Sequence, residues 1–357
     1  MCRWCFIGKF IFIFKKRKLP KQVKKVLFLK VGAIGDVLMT TPLLHAISKA
    51  GYNIDYCVGN FAAEALKGNK DIGNLIVFDT SFAFRKKLIP LLKLAVKIRK
   101  RKYDLIFVLD KSWLMAVFAF LCGKFRIGFD RFGEGFANNL NVKYQEVKHE
   151  IKYYLELAKF LNIKSADTNI RIALSKKDAD YAKTFFKKNN LTGKKVVGII
   201  PGGAKNIGAG DEPVRRWPVD RFIELSRKLI QKEYYVILLG GPDDFELNEH
   251  VRKAVNRKIF NAAVGTIKQA AALMRKCRYI VCNDSGPMHL ASAVNKHIIS
   301  IFGPTNPARK APLHKESKAI WKDQDIYEKD YELFGRAPKR KDFMKKIEAG
   351  DVLKYIK

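Results

Sequence analysis

Short apolar runs, each ending in a polar turn that opens onto a helix, recur from Lys25 to Thr305. The first is Val26-Leu27-Phe28-Leu29, which runs into Gly32-Ala33-Ile34-Gly35-Asp36. A helix is predicted over 37–49, with Leu38, Leu44 and Ile47 on its apolar side. Residues 53–58, 75–78, 103–109 and 126–129 read as further strands. Helices are expected over 84–101, basic and amphipathic and kinked at Pro90, over 112–122, almost wholly apolar, and over 150–161. Alternation of this kind gives a parallel sheet covered by helices, so the fold class is α/β.

A connecting region follows over 162–195, with one charged helix at 177–189, and the same grammar then restarts. Strands are predicted at 195–200, 235–239, 279–282 and 297–301, with helices at 221–232 and 267–275 and from Pro287. Two such halves in one chain imply two domains facing a cleft. The expected organisation is an arm at 1–22, a first domain at 23–165, a connection at 166–194, a second domain at 195–315 and a tail with a closing helix at 316–357.

The stretch from Ile280 to Pro304 is the most informative of these units. A strand meets Asn283-Asp284-Ser285-Gly286, and Pro287 then suits the first helical turn, where its missing N–H would have had no acceptor. Asp284 and Ser285 are residue types that cap such a turn. Unpaired amides at the carboxyl end of a strand attract anions, and His289 lies close enough to join them. By itself the stretch reads equally as a capped helix with a surface histidine. Polar turns at 201–206, 240–244, 265–266 and 303–305 change the balance, because one parallel sheet would set them all along one edge, as a nucleotide-sized pocket. The Gly202-Gly203 turn lacks G-x-G-x-x-G spacing, and no G-x-x-x-x-G-K-[ST] occurs, which speaks against a nicotinamide fingerprint and a P-loop.

The length and apolar content suffice for two cores; the charge is unusual. Lys plus Arg is 69 and Asp plus Glu 34, a formal net charge of +35. That excess points to an anionic partner: a phosphorylated substrate, an anionic membrane or nucleic acid. The cations are spread along the chain without a ribonucleoprotein-type or zinc-finger motif, so no specific nucleic acid is expected. Of six cysteines, Cys57, Cys122, Cys277 and Cys282 lie in or beside apolar runs and read as buried thiols in a reducing, cytoplasmic compartment. Cys2 and Cys5 are a lone C-x-x-C, too little for zinc. The run from Trp4 to Phe14 is too short to span a bilayer and lacks the charge order of a secretory signal. With Lys15-Lys16-Arg17-Lys18 it reads either as an in-plane anchor or as a weakly packed arm.

Two further constellations carry chemistry. Arg215-Arg216-Trp217-Pro218 follows the glycine turn, and a guanidinium beside glycine amides, with Lys205 and Asn206 nearby, suits a diphosphate; the alternative is a solvated basic pair. Asp36 opens a helix behind Gly35 and reads as a complement to the helix dipole or as a general base.

Together the motifs Gly32-x-x-Gly35-Asp36-x-x-x-Thr40-x-Pro42, Pro201-Gly202-Gly203, Arg216-Trp217-Pro218, Gly240-Gly241-Pro242, Asn283-Asp284-Ser285-Gly286-x-x-His289-x-Ala291 and Phe302-Gly303-Pro304-Thr305 resemble the lipopolysaccharide heptosyltransferases of glycosyltransferase family nine, over residues 25–310. The resemblance implies a GT-B fold of two Rossmann-like domains and an inverting, metal-independent transfer with no cofactor. It implies ADP-heptose as nucleotide-sugar donor and an anionic glycolipid acceptor of the lipid A–core type, at the inner membrane's cytoplasmic face; the alternatives are another nucleotide-sugar enzyme of the same fold, with a different donor or an epimerase, and a non-enzymatic basic protein that binds membrane or nucleic acid. Asp36 matches the catalytic base, with Gly32, Gly35 and Thr40 on the acceptor side. Gly202, Gly203, Lys205, Asn206, Arg215 or Arg216, Asp284, Ser285, Gly286 and His289 match the donor side, with Asp243 or Asp244 at the ribose. A monomer is expected; the basic stretch 85–102 reads equally as a hold on anionic lipid, in peripheral contact with the membrane, or as a solvated helix face.

Overall fold

The structure, a computed structural model, describes residues 18–81, 88–203, 205–206, 210–255, 257–328 and 339–357. The arm through Arg17, with Cys2, Cys5 and the apolar run, and the start of the basic helix expected from residue 84 lie outside them. The chain divides into two compact units, Met1–Asn169 and Ile170–Lys357.

The first unit runs β1 (Lys25–Lys30), α1 (Ile34–Leu38), α2 (Thr41–Lys49), β2 (Asn53–Gly59), α3 (Asn60–Leu66), β3 (Leu75–Phe78), α4 (Leu88–Arg99), β4 (Leu105–Val108), α5 (Trp113–Cys122), β5 (Arg126–Asp130), β6 (Leu140–Lys143) and α6 (Glu150–Ala158). Its six strands pair in the order β3-β2-β1-β4-β5-β6, every pair parallel. Central β1 is apolar throughout its middle because both its faces are covered. Leu27 and Leu29 pack under Leu91, Ala95 and Ile98 of α4 and Phe118 of α5. On the other face Phe28 meets Tyr56 at 5.7 Å and Phe107 edge-on at 5.1 Å between ring centroids.

The single helix expected over 37–49 is two. Pro42 occupies the first turn of α2, where it needs no N–H; in the interior of one long helix it would remove a hydrogen bond and clash. The junction is pinned by Thr40, whose hydroxyl donates to the Val37 carbonyl at 2.7 Å and bonds the Tyr56 hydroxyl at 2.8 Å.

The second unit opens with α7 (Lys176–Lys188), started by a reciprocal capping box between Ser175 and Asp178. Then come β7 (Val196–Ile200), the small antiparallel pair β8 (Lys205–Asn206) and β9 (Gly210–Asp211), α8 (Val219–Gln231), β10 (Tyr235–Leu238), α9 (Phe245–Val255) and β11 (Ile259–Asn261). The unit continues with α10 (Ile267–Lys276), β12 (Tyr279–Asn283), α11 (Gly286–Ser292), β13 (Ile298–Phe302), α12 (Pro307–Lys310), β14 (Lys318–Trp321) and α13 (Ala349–Leu353). The large sheet has six strands in the order β11-β10-β7-β12-β13-β14, again all parallel. The helix read as part of a connection, α7, packs on this unit: Lys276 of α10 sits over the Phe186 ring at 5.4 Å, and Tyr181 donates to the Val264 carbonyl at 3.2 Å.

The tail beyond residue 315 is more than a closing helix. β14 extends the sheet, and Phe343, Met344, Ile347, Val352 and Ile356 enter the core around Trp217 and Phe222. The Trp217 indole donates to the Ile347 carbonyl at 3.0 Å, and its ring meets Phe222 edge-on at 4.9 Å. Cys57, Cys122, Cys277 and Cys282 are free, buried thiols, as their apolar settings predict. Replacing Trp217 with alanine empties the centre of this core and should cost about 3–5 kcal/mol. Urea unfolding of the second unit measures it; a change within about 0.5 kcal/mol would mean the tail packs elsewhere.

Candidate active site

All six strands of the second sheet point one way, so the turns at 201–206, 240–244, 265–266, 284–289 and 303–305 share its carboxyl edge. Two carboxylates and an amide bind four of them together, all but the 265–266 turn. Asp244, buried at 8% exposure, accepts from the Gly203 amide at 3.2 Å through one oxygen and from the Gly241 amide at 2.9 Å through the other. It thereby ties the turn after β7 to the turn after β10. A Cβ on Gly202 would stand 2.1 Å from that carboxylate, so glycine is required there for close approach. Gly203 has φ +83°, and a Cβ there would meet the Ser285 hydroxyl at 2.7 Å. Asn283, wholly buried, donates to the Pro201 carbonyl at 2.9 Å and accepts from the Trp217 amide at 3.0 Å.

Asp284 is the second carboxylate. Its side chain receives Arg215 Nη2 at 2.9 Å and the Thr305 hydroxyl at 2.7 Å, and its carbonyl receives the same Nη2 at 2.6 Å. Burial pushes its pKa up, but the attractions of Arg215 and Lys310 and the Thr305 hydrogen bond outweigh it and hold the carboxyl below its ordinary value. Asp284 therefore does not cap α11, and neither does Ser285, which stands at the N-cap with no side-chain cap bond. That corrects the capping expected of both. His289, on α11, is buried rather than a surface group, and its charge also acts on Asp284.

The two adjacent arginines separate. Arg215 is buried and committed to Asp284 and to Glu212, which it meets at 2.9 Å. Arg216 is half-buried and donates through Nε to the Gly203 carbonyl at 2.8 Å, which sets its guanidinium beside the glycine turn. The two acids separate likewise: Asp244 is buried in the turns, and Asp243 is exposed. Lys205 and Asn206 are described by their backbone alone, in the β8–β9 pair before Arg215. Two Asp-x-Asp sequences exist away from these turns and are used structurally. Asp178 closes the α7 capping box, Asp323 accepts from the Met344 amide at 2.6 Å, and Asp325 pairs with Lys346 at 3.0 Å.

In the first unit Asp36 stands half-buried in the first turn of α1, beyond Gly32 at φ +20°. Lys30 is 4% exposed, its ammonium 2.7 Å from Asp110; the other Asp110 oxygen accepts from the Val31 amide at 2.7 Å. Burial works against the charged form of Lys30, yet Asp110 and then Asp36 raise its pKa well above the ordinary value. Lys111 pairs with Glu150, which also meets the Tyr144 hydroxyl. Its ammonium lies over the rings of Tyr144, Tyr154 and Phe129, at 4.4, 5.1 and 5.4 Å. Burial lowers its pKa below the ordinary lysine range, while Glu150 and Asp36 pull the other way. Two lysines thus feel the charge of Asp36. Sequence reading passed over both, although Asp110-Lys111 follows β4 as the other polar turns follow their strands. Thr40 is fully buried at the α1–α2 junction, where its hydroxyl is bonded to Val37 and Tyr56.

The Arg215–Asp284 pair has a readable pH signature. A carboxyl whose pKa is depressed on folding contributes stability above its unfolded value of about 3.9 and loses it as pH falls through the folded value. The stability gap between the wild type and Asp284→Asn should be widest near neutral pH and narrow below about pH 4. Urea midpoints across that range check it; a gap independent of pH would remove the pair from this role. Arg215→Met, which strands a buried carboxylate, should cost about 3–5 kcal/mol.

Comparison with known proteins agrees with this geometry. The model of Glycosyltransferase family 9 (heptosyltransferase) matches residues 91–332. Lipopolysaccharide heptosyltransferase 2 of Escherichia coli strain K12 is 29% identical over 245 residues, 64% of this chain and 68% of that protein. Lipooligosaccharide heptosyltransferase 2 of Haemophilus ducreyi is 28% identical over 319 residues, 83% of this chain and 88% of that protein. Among solved structures, a family 9 glycosyltransferase from Veillonella parvula superposes with a TM-score of 0.80 at 22% identity, covering 95% of this chain and 98% of that one. E. coli ADP-heptose lps heptosyltransferase II gives 0.71 at 22% identity, covering 93% and 97%. The chain therefore belongs to glycosyltransferase family 9, and it is a glycosyltransferase of the GT-B fold.

Proposed function

We propose that this protein transfers a heptose from ADP-heptose to an anionic lipopolysaccharide-core or lipid A-type acceptor, with inversion at the anomeric carbon. The names of its relatives support the heptose and the lipopolysaccharide, and the family resemblance supports ADP. The observation that carries the donor side is the Gly202-Gly203 turn, held from beneath by Asp244 and flanked by the Arg216 guanidinium. Glycine amides and a fixed guanidinium fork suit a diphosphate, and exposed Asp243 suits the ribose hydroxyls better than the buried Asp244. Arg215, Asp284 and Thr305 then act by holding the donor turns in place.

The reaction needs a base and a stabilised leaving group. The acceptor hydroxyl gives its proton to Asp36, its oxygen bonds to the anomeric carbon, and the bond from that carbon to the diphosphate oxygen breaks on the opposite face. ADP departs with the electron pair. Arg216 and Lys205 stabilise the charge that develops on it, the work a divalent ion does in other transferases. Lys30 and Lys111, each paired with an acid, fix the buried charges around Asp36. We place the reaction at the cytoplasmic face of the membrane that holds the acceptor.

Asp36→Asn should lower kcat by about 100- to 10,000-fold with ADP affinity unchanged; retained turnover would remove Asp36 as base. Arg216→Gln should weaken ADP binding by about 10- to 100-fold. Calorimetry with ADP, UDP, GDP and CMP tests the donor, and preferred binding of UDP would overturn it. Turnover should survive chelation by EDTA; loss of activity restored by a divalent ion would end the metal-free reading.

A further inference from the structure

Helix α4 carries apolar side chains on both sides. Leu91, Ala95 and Ile98 point into the core at 6%, 3% and 0% exposure. Ile89, Leu92 and Val96 point outward at 69%, 51% and 53%. At 3.6 residues per turn those outward positions fall within about 60° of one another, a continuous ridge rather than scattered contacts. Exposed Lys93, Lys97 and Lys100 line one margin of the ridge, and exposed Arg99 lines the other. Residues 88–102 contain no acidic side chain.

The neighbouring helix extends the surface. α5 packs beside α4, and Arg99 donates to the Leu121 carbonyl at 3.0 Å, bringing their outer faces together. Trp113, Leu114, Val117, Phe120 and Leu121 of α5 are half-buried on the side away from its core residues. An apolar centre with a cationic margin is what an amphipathic helix lying in a membrane interface requires: side chains enter the acyl boundary while ammonium groups stay at the headgroups. Among the described residues no helix is long and apolar enough to cross a membrane, so contact from this face would be in-plane. Charge decides between occupants. A second copy on this face would bring its own lysines against these, whereas an anionic bilayer complements them.

We propose that the outer face of α4, continued by α5, docks this protein on an anionic lipid bilayer, with Ile89, Leu92 and Val96 inserted and Lys93, Lys97 and Lys100 at the headgroups. This deepens the reading of a membrane-borne acceptor and names the surface that reaches it. Its test requires no catalysis, so loss of the donor or base assignment would leave the result standing.

The experiment is co-sedimentation of the full chain with vesicles of phosphatidylglycerol and phosphatidylethanolamine, and with phosphatidylcholine vesicles, at low and high salt. Binding should favour the anionic vesicles and fall with salt. Each lysine near such a surface is worth roughly fivefold in partition, so K93Q/K97Q/K100Q should lose on the order of 100-fold. I89S/L92S/V96S should lose at least about tenfold. An unchanged circular dichroism spectrum and urea midpoint show that both variants remain folded. Equal partition of the wild type and both variants would overturn the proposal and move the contact to another segment. So would a solution dimer that I89S/L92S/V96S dissociates, because a second copy would then cover the ridge.

Discussion

Parallel strands deliver all their carboxyl ends to one edge, and both sheets here are parallel throughout. No hairpin can join such strands, so each connection crosses by a helix or a long loop and returns. The cost is that turns far apart in sequence must be held together at that edge by side chains. In the second unit buried polar groups do this. Asp244 joins two glycine turns, Asn283 joins the β7 turn to Trp217, and Asp284 joins Arg215 to Thr305. Each is buried with its hydrogen bonds directed at specific atoms, and such bonds fix one arrangement of the turns because the alternatives leave polar groups stranded.

The first unit treats charge differently. Lys30 and Lys111 are largely withdrawn from water, and each is matched to an acid, Asp110 or Glu150. Asp36 stands within the field of both. The rings of Tyr144, Tyr154 and Phe129 around Lys111 limit how far its ammonium can move. Among the described residues of a chain of formal charge +35, a few cations are held in defined places and most others lie at the surface, where α4 collects several beside an apolar ridge.

Much of the architecture was legible because apolar runs and glycine turns are local signals. The strands of both sheets, apart from the short β11, the half-exposed β6 and the edge strand β14, follow from short stretches dominated by apolar residues. The split at Pro42 was missed by following hydrophobic period without the missing N–H. The tail was missed because Phe343, Met344, Ile347, Val352 and Ile356 show no regular period; they are core by virtue of Trp217 and Phe222, more than a hundred residues away.

The candidate site divides along the same line. Sequence alone determined that glycines, arginines and acids would gather at strand ends, since strand direction and turn composition are written in neighbouring residues. Only the tertiary structure decided where each member of a pair is used: Arg215 on Asp284 and Glu212, Arg216 on the Gly203 carbonyl, Asp244 on two glycine amides. Adjacent residues of one type are equivalent to a sequence pattern. They differ once the chain folds, because backbone direction turns one toward a buried partner and leaves its neighbour at the edge.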